Sequence, residues 1–401
     1  MMSSMPLNGL KVLEFSHAVM GPTAGLILAE LGADVVKVEP APGGDPTRRL
    51  GGFAAGFFPA FNRSKRSIAI DLKRPEGQAL LHRLVQDVDI VLENYAPGTM
   101  DRLGCGYDVL SSINPRLIYL ALKGYLSGPY DGRPALDEVV QFQSGLAYMT
   151  GQPGHPSRAG ASVIDILGAA FGIIAAQAAL HERSTTGKGQ RISSALFESA
   201  VFLMITHMAG FAATGEAQPP MPARKSAWSI YEVFSSADDG ALFIGVTSDQ
   251  QWQRFADVFE LVDLASDERL ETNQMRIEAR SWLLPRLHEE LKKYDLSELM
   301  ARCGKANVSW APVGRPEDLF ADAHLAATNG LLDVVVKGSR GTDQTFGLPA
   351  MPFEFHDGAN RPGLRAQPPE LGADTADVLH ASGVSDDELR KLVDAKVVVL
   401  A

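Results

Sequence analysis

Lys11-Val12-Leu13-Glu14-Phe15-Ser16-His17-Ala18-Val19-Met20-Gly21-Pro22-Thr23-Ala24-Gly25, running on to Leu31-Gly32-Ala33-Asp34-Val35-Val36-Lys37-Val38-Glu39, decides the fold class. Residues 10–15 read as a buried strand, 21–31 as a helix closed by Gly32, and 35–38 as a second strand ending in Glu39. That is a βαβ unit. The alternation continues through strand 67–70, helix 75–85 and strands 90–92 and 117–122, so an α/β fold with a mostly parallel sheet is expected. A strand, a helix and an acidic strand end mimic a dinucleotide site. However, residues 17–25 lack the G-x-G-x-x-G spacing that lets a pyrophosphate approach the helix.

Farther along, residues 212–227 are rich in Pro, Ala, Gly and Gln, and a domain boundary belongs near there. Strands 230–234 and 242–246 then flank Ala237-Asp238-Asp239-Gly240, a hairpin turn. A charged helical pattern fills 252–302, extended chain returns at 310–313, and helices are expected over 375–382 and 385–394.

At 401 residues and 45% hydrophobic content, the chain can build one large or two ordinary domains. Its net charge of -11 gives no general electrostatic reason to bind nucleic acid or an anionic membrane. Cys105 and Cys303 lie far apart, suit neither a disulfide framework nor a metal site, and fit a reducing cytoplasm. No basic segment followed by an apolar run opens the chain, and the apolar stretch 164–180 reads as a core helix. Thr186-Gly187-Lys188-Gly189-Gln190 lacks the upstream glycine of a P-loop and reads as a basic loop; zincin and G-x-S-x-G patterns are also missing.

The chemistry is carried by Ser157-Arg158-Ala159-Gly160-Ala161-Ser162-Val163-Ile164-Asp165-Ile166-Leu167-Gly168-Ala169-Ala170. The segment to His181 contains Gly168, Gly172 and many alanines, so it reads as a buried helix thin enough for another backbone to approach. Asp165 stands at its amino end. A carboxylate there is either a helix cap or a nucleophile kept ionised by free helix N–H groups.

The stretches 11–15, 21–22 and 31–39, with Asn62-Arg63-Ser64-Lys65-Arg66-Ser67, Asp71-Leu72-Lys73 and Asn94-Tyr95-Ala96-Pro97-Gly98, resemble the class III CoA-transferases, the formyl-CoA and carnitine CoA-transferase family. The match continues through Asp165, 186–190, Ala311-Pro312-Val313 and Leu371-Gly372-Ala373-Asp374-Thr375, so it covers nearly the whole chain. The resemblance implies a Rossmann-like large domain built from residues 1–215 and 336–401, a small domain over 216–335, and an interlocked homodimer. It also aligns Asp165 with the family's nucleophile.

The activity so implied is CoA transfer. Asp165 attacks the donor thioester to give a mixed anhydride, CoA thiolate returns to form an aspartyl-CoA thioester, and the acceptor acid repeats the steps in reverse. Acyl-CoA is substrate, with no tightly bound cofactor, metal, nucleic acid or membrane partner. Carried over residue by residue, CoA contacts fall on Val19, Met20, Leu72, Lys73, Asn94, Tyr95, Ala96 and Arg102, with Ala135 and Glu138 near the reacting acyl group. Val19 and Pro40 stand where some members have Gln and Arg, and 223–228 has no glycine run where the family has a shielding loop.

Residues 122–130 and 135–151 are similar to the branch that handles short dicarboxylates, most of all to intramolecular mesaconyl-CoA transferases; succinyl-CoA-dependent transfer to itaconate, mesaconate or citramalate is the alternative. A distal carboxylate requires a cation, and Arg158, Lys225, Arg224 and Arg48 are candidates. Leu136 stands where the related racemases carry histidine, which argues against proton-shuttle chemistry. A non-catalytic acyl-CoA-binding protein is the remaining rival.

Overall fold

Continuous apolar runs become parallel strands buried on both faces, and the helices between them supply the cover. In the computed structural model, which describes residues 5–224, 226–337, 343–355 and 361–401, the chain divides into two compact units, Met1–Pro222 with Ala323–Ala401, and Ala223–Asp322. The expected divisions stood at 215/216 and 335/336.

In the first unit, β1 (Lys11–Phe15), α1 (Met20–Glu30), β2 (Asp34–Pro40), β3 (Arg66–Ile70), α2 (Pro75–Leu84), β4 (Ile90–Glu93) and β5 (Ile118–Lys123) follow the expected alternation. Then come α3 (Asp137–Ser144), α4 (Val163–Thr186), β6 (Gln190–Ala195), α5 (Leu196–Leu203) and α6 (Ile205–Thr214). With β12 (Val398–Val399) at one edge, the sheet order is β12-β3-β2-β1-β4-β5-β6. All neighbours are parallel except β12, which runs antiparallel to β3.

Side chains alternate across this sheet with the period of two that a strand imposes. Leu13, Val91, Tyr119 and Ala121 join one buried cluster, with Leu80 and the C-terminal Leu379; Val12, Ile90, Leu92, Ile118 and Leu120 join the other, with Leu28 and Ile173. Strands β1 and β4 are neighbours although β2 and β3 follow β1 in the chain. A crevice opens beyond the carboxyl ends of strands at such a reversal, and doubly wound proteins bind ligands there.

The central helix α4 begins before Asp165 and runs on to a left-handed Gly187 at its C-terminus. It is long and apolar enough to cross a membrane, yet it packs against α1, β5, β6 and α5. At two of its glycines the small residue makes room for a neighbouring side chain. A Cβ on Gly168 would come within 2.6 Å of Met20 Cε, and one on Gly172 within 2.8 Å of Leu122 Cδ2.

The second unit has its own core. Antiparallel β7 (Ile230–Ser235), β8 (Ala241–Val246) and β9 (Ser309–Pro312) pack with helices through Ile230, Phe234, Trp252, Phe255 and Leu283. Asp239, at φ 61°, turns the β7–β8 hairpin. An antiparallel pair, β10 (Leu331–Lys337) with β11 (Asp343–Pro349), belongs to the first unit.

Candidate active site

The β1–α1 connection forms one wall of the site, and buried charges hold it from behind. Lys37 Nζ donates to the Ser16 carbonyl at 2.8 Å, and Lys65 Nζ to the Pro22 carbonyl at 2.9 Å. Both lysines are fully buried and share Glu14, at 3.2 and 2.7 Å. Pairing offsets the cost of burying these charges and leaves the loop few alternative positions. From the front, Asn94 brackets His17: the His17 N–H donates to Oδ1 at 3.0 Å and Nδ2 donates to the His17 carbonyl at 2.9 Å. The loops after β1 and β4 are thereby one piece.

These loops open into a cavity of about 780 Å³, a size suited to a ligand. Of the residues expected to act, Asp165, Glu138, Val19, Met20, Asn94, Tyr95, Ala96 and Ala135 line it. Leu72, Lys73 and Arg102 do not. Leu72 packs in the core, Lys73 is exposed, and Arg102, also exposed, donates to Thr99 Oγ1 at 2.8 Å. Asn94 lines the cavity, but its side-chain amide is committed to His17.

Asp165 occupies the third position of α4, and its own carboxylate caps nothing. Ser162, the residue before the helix, makes no side-chain cap either. The role falls to Asp137, which accepts the N–H of Ile164 at 2.8 Å and of Asp165 at 3.1 Å. Two of the free donors that every helix start presents are met from another helix. Gln141 completes the brace: its Nε2 donates to Asp137 Oδ1, and its Oε1 accepts the Ala159 N–H at 2.9 Å.

That arrangement corrects the expected electrostatics of Asp165. The helix start was to favour its ionised form; instead burial, and then the charges of Asp137 and Glu138, push its carboxyl from 3.8 up to about 7. A carboxylate so poised is a far stronger base than a surface aspartate. Glu138 in turn pairs with Arg158 at 3.2 Å, and both line the cavity.

Sequence reasoning missed two residues here. Asp137 acts on a helix start 27 residues away, a relation no local pattern reveals. Glu93, at the end of β4, is buried in the cavity wall, and burial pushes its carboxyl up to about 7 against the pull of the Tyr95 N–H, Arg191 and Lys123. Cys105 and Cys303 are buried with thiols pushed up to about 12, which suits neither to nucleophilic attack.

The distal-carboxylate candidates separate as well. Arg48 is bound by both oxygens of Glu39, at 2.8 and 2.6 Å, and lies over the Phe58 ring. Arg224 belongs to the second unit, and Lys225 lies outside the described residues. Of the three that are described, Arg158 alone lines the cavity.

The profile of the family described as CoA-transferase family III matches residues 7–375. The chain belongs to CoA-transferase family III. Among relatives, the succinate–glutarate CoA-transferase of Agrobacterium fabrum is 35% identical, over 82% of this chain and 85% of its own length. The succinyl-CoA:mesaconate CoA-transferase of Haloarcula hispanica is 32% identical, over 94% of this chain and 96% of its own. A crystal structure of a CAIB/BAIF family protein from Brucella suis superposes with a TM-score of 0.83 at 33% identity, covering 95% of this chain and all of that one (100%). The protein is therefore a family III CoA-transferase, with CoA thioesters as substrates.

Proposed function

We propose that this CoA-transferase moves CoA between short dicarboxylic acids through an aspartyl-CoA thioester on Asp165. The observation that carries the reading is a carboxyl raised to about 7 on a braced helix start inside the cavity. The names of the Agrobacterium and Haloarcula relatives support the substrate class.

Asp165 Oδ attacks the thioester carbon and expels CoA thiolate, leaving an aspartyl–acyl anhydride. The thiolate then attacks the aspartyl carbonyl carbon, which frees the donor acid as its carboxylate and leaves CoA on the enzyme. An acceptor carboxylate reverses both steps. One thioester replaces another of similar energy, so the protein must mainly hold the carboxylate still and keep water from the anhydride. The CoA contacts proposed for the cavity walls are Val19, Met20, Tyr95, Ala96 and Ala135, with Lys73 and Arg102 proposed for the phosphates beyond it. The interlocked homodimer belongs to the same proposal; exposed Phe202, Ile205, Met208 and Phe211 on α5 and α6 support a second copy covering that face.

Both relatives just cited are named for transfer between different acids, which favours the intermolecular mode over the intramolecular mesaconyl-CoA transfer expected from the sequence. Labelled free mesaconate added during turnover of unlabelled mesaconyl-CoA tests this. Rapid entry of label into the CoA esters is the expected result, and its exclusion during isomerisation would restore the intramolecular mode. Mass analysis after succinyl-CoA is mixed with a panel of mono- and dicarboxylic acids tests the substrate class; equal use of monocarboxylates would overturn it.

A further inference from the structure

Four lysines and arginines line the cavity among the described residues: Lys123, Arg133, Arg158 and Arg191. Three are placed for other work. Lys123 is ion-paired with Asp131, Arg133 lies 4.0 Å over the Tyr130 ring, and Arg191 acts on Glu93. Arg158 is bound to Glu138 at 3.2 Å, and Glu138 is near enough to Asp165 for its charge to be felt there. Arg158 is thus the cavity cation tied to a carboxylate that acts on Asp165.

The pair has the character of a binding site already holding a substitute. A guanidinium in a ligand cavity binds a carboxylate through a single side-chain contact, with both partners partly exposed, 42% and 46%. Nothing buries the pair, so a competing carboxylate from solution can replace Glu138 without opening the core. Exposed pairs of this kind are worth little, which keeps the exchange cheap.

We infer that Arg158 recognises the distal carboxylate of the acyl group, and that Glu138 holds its place while the site is empty. The inference rests on the dicarboxylate reading and names the residue that enforces it. The exchange leaves one carboxylate on Arg158 in both states, so the cavity never presents an unpaired guanidinium. A monocarboxylate acyl group cannot displace Glu138 and gains nothing from Arg158.

The test isolates the first half-reaction. Wild-type enzyme, Arg158→Gln and Arg158→Lys are each mixed in single turnover with succinyl-CoA or butyryl-CoA, four-carbon acyl groups that differ by the distal carboxylate. Mass spectrometry follows CoA appearing on Asp165. Wild type is expected to prefer succinyl-CoA. Arg158→Gln is expected to lose about 10- to 100-fold more on succinyl-CoA than on butyryl-CoA, since the contact to the distal group is lost for succinyl-CoA alone, whereas any effect of the freed Glu138 on Asp165 is common to both esters. Arg158→Lys should recover part of the loss. An equal loss on both esters would assign Arg158 to structure or to Asp165 and overturn the inference. A wild-type preference that survives Arg158→Gln would overturn it alone. A wild type that treats both esters alike would remove the dicarboxylate reading and this inference with it.

Discussion

Asp137 and Asp165 are joined through backbone, not side chain: the Asp137 carboxylate accepts the Asp165 N–H at 3.1 Å, and its charge adds to burial in raising the Asp165 carboxyl to about 7. One residue braces the proposed nucleophile and adds to the effect of burial on its basicity. The two effects separate by mutation.

Removing the nucleophile comes first. Asp165→Ala and Asp165→Asn are expected to fold and to lose CoA transfer by about 10³-fold or more, because no covalent route remains. Mass spectrometry of enzyme incubated with acyl-CoA should then show no CoA adduct. Activity above a few per cent in Asp165→Ala would end the assignment.

Acidity should follow from the same carboxyl. In free enzyme, kcat/KM for acyl-CoA is expected to fall as pH drops below about 7, where Asp165 takes up its proton. Glu138→Gln removes a neighbouring negative charge, lowers the Asp165 value, and should move this limb to lower pH. A limb that stays in place would dissociate Glu138 from Asp165.

Stability carries the opposite sign from an ordinary ion-paired aspartate. The folded value lies above the ordinary 3.8, so between the two values the folded protein holds a proton that the unfolded chain has released. The Asp165 contribution to stability is therefore whole below 3.8, is lost as pH rises to about 7, and stays lost above it. Asp165→Asn, which cannot ionise, should be more stable than wild type at pH 8, by a margin that narrows toward pH 5. Urea unfolding at the two pH values measures the gap, and a margin that does not change with pH would contradict it.

Asp137→Ala strips the cap from Ile164 and Asp165 and should cost about 1–3 kcal/mol of stability. Its kcat should fall through misplacement of the nucleophile. Asp137→Asn keeps one acceptor and removes the charge, so it should retain more stability while shifting the pH limb downward. Equal behaviour of the two variants in both assays would refute the double role.

Lys73 and Arg102, both exposed and outside the cavity, are the residues proposed for the phosphates of CoA. Neutralising either should raise the acyl-CoA KM more than it lowers kcat, with the difference shrinking at high salt. Wild-type affinity in both single variants at low salt would remove them from the CoA site.

Much of the sheet was legible because strands buried on both faces read as largely apolar runs: 10–15, 35–38 and 90–92 fall on β1, β2 and β4. Strand β6 was not, since Gln190-Arg191-Ile192-Ser193-Ser194-Ala195 forms the sheet's edge, is mostly polar and exposes Arg191 and Ser193. Asp165 could be singled out by its place before a helix and by resemblance. Its raised pKa could not, for that depends on burial in the folded chain and then on Asp137 and Glu138 folding against it from another helix. Nor could Arg158 be chosen over Arg48, because the partner that occupies Arg48, Glu39, declares itself only in three dimensions.

Strand β12 is two residues long, yet it closes the β3 edge, and Asp374 and Thr375 reach the same strand from more than 300 residues away, by bonds of 2.8 Å to Ser67 N–H and 3.2 Å to Ala69 N–H. During synthesis, β3 leaves the ribosome long before anything can pair with its outer side. At typical elongation rates of about 5–20 residues per second, that edge waits for tens of seconds. An unpaired edge is a template for other chains. The order in which this chain is made therefore leaves β3 open to wrong pairing until its last residues arrive.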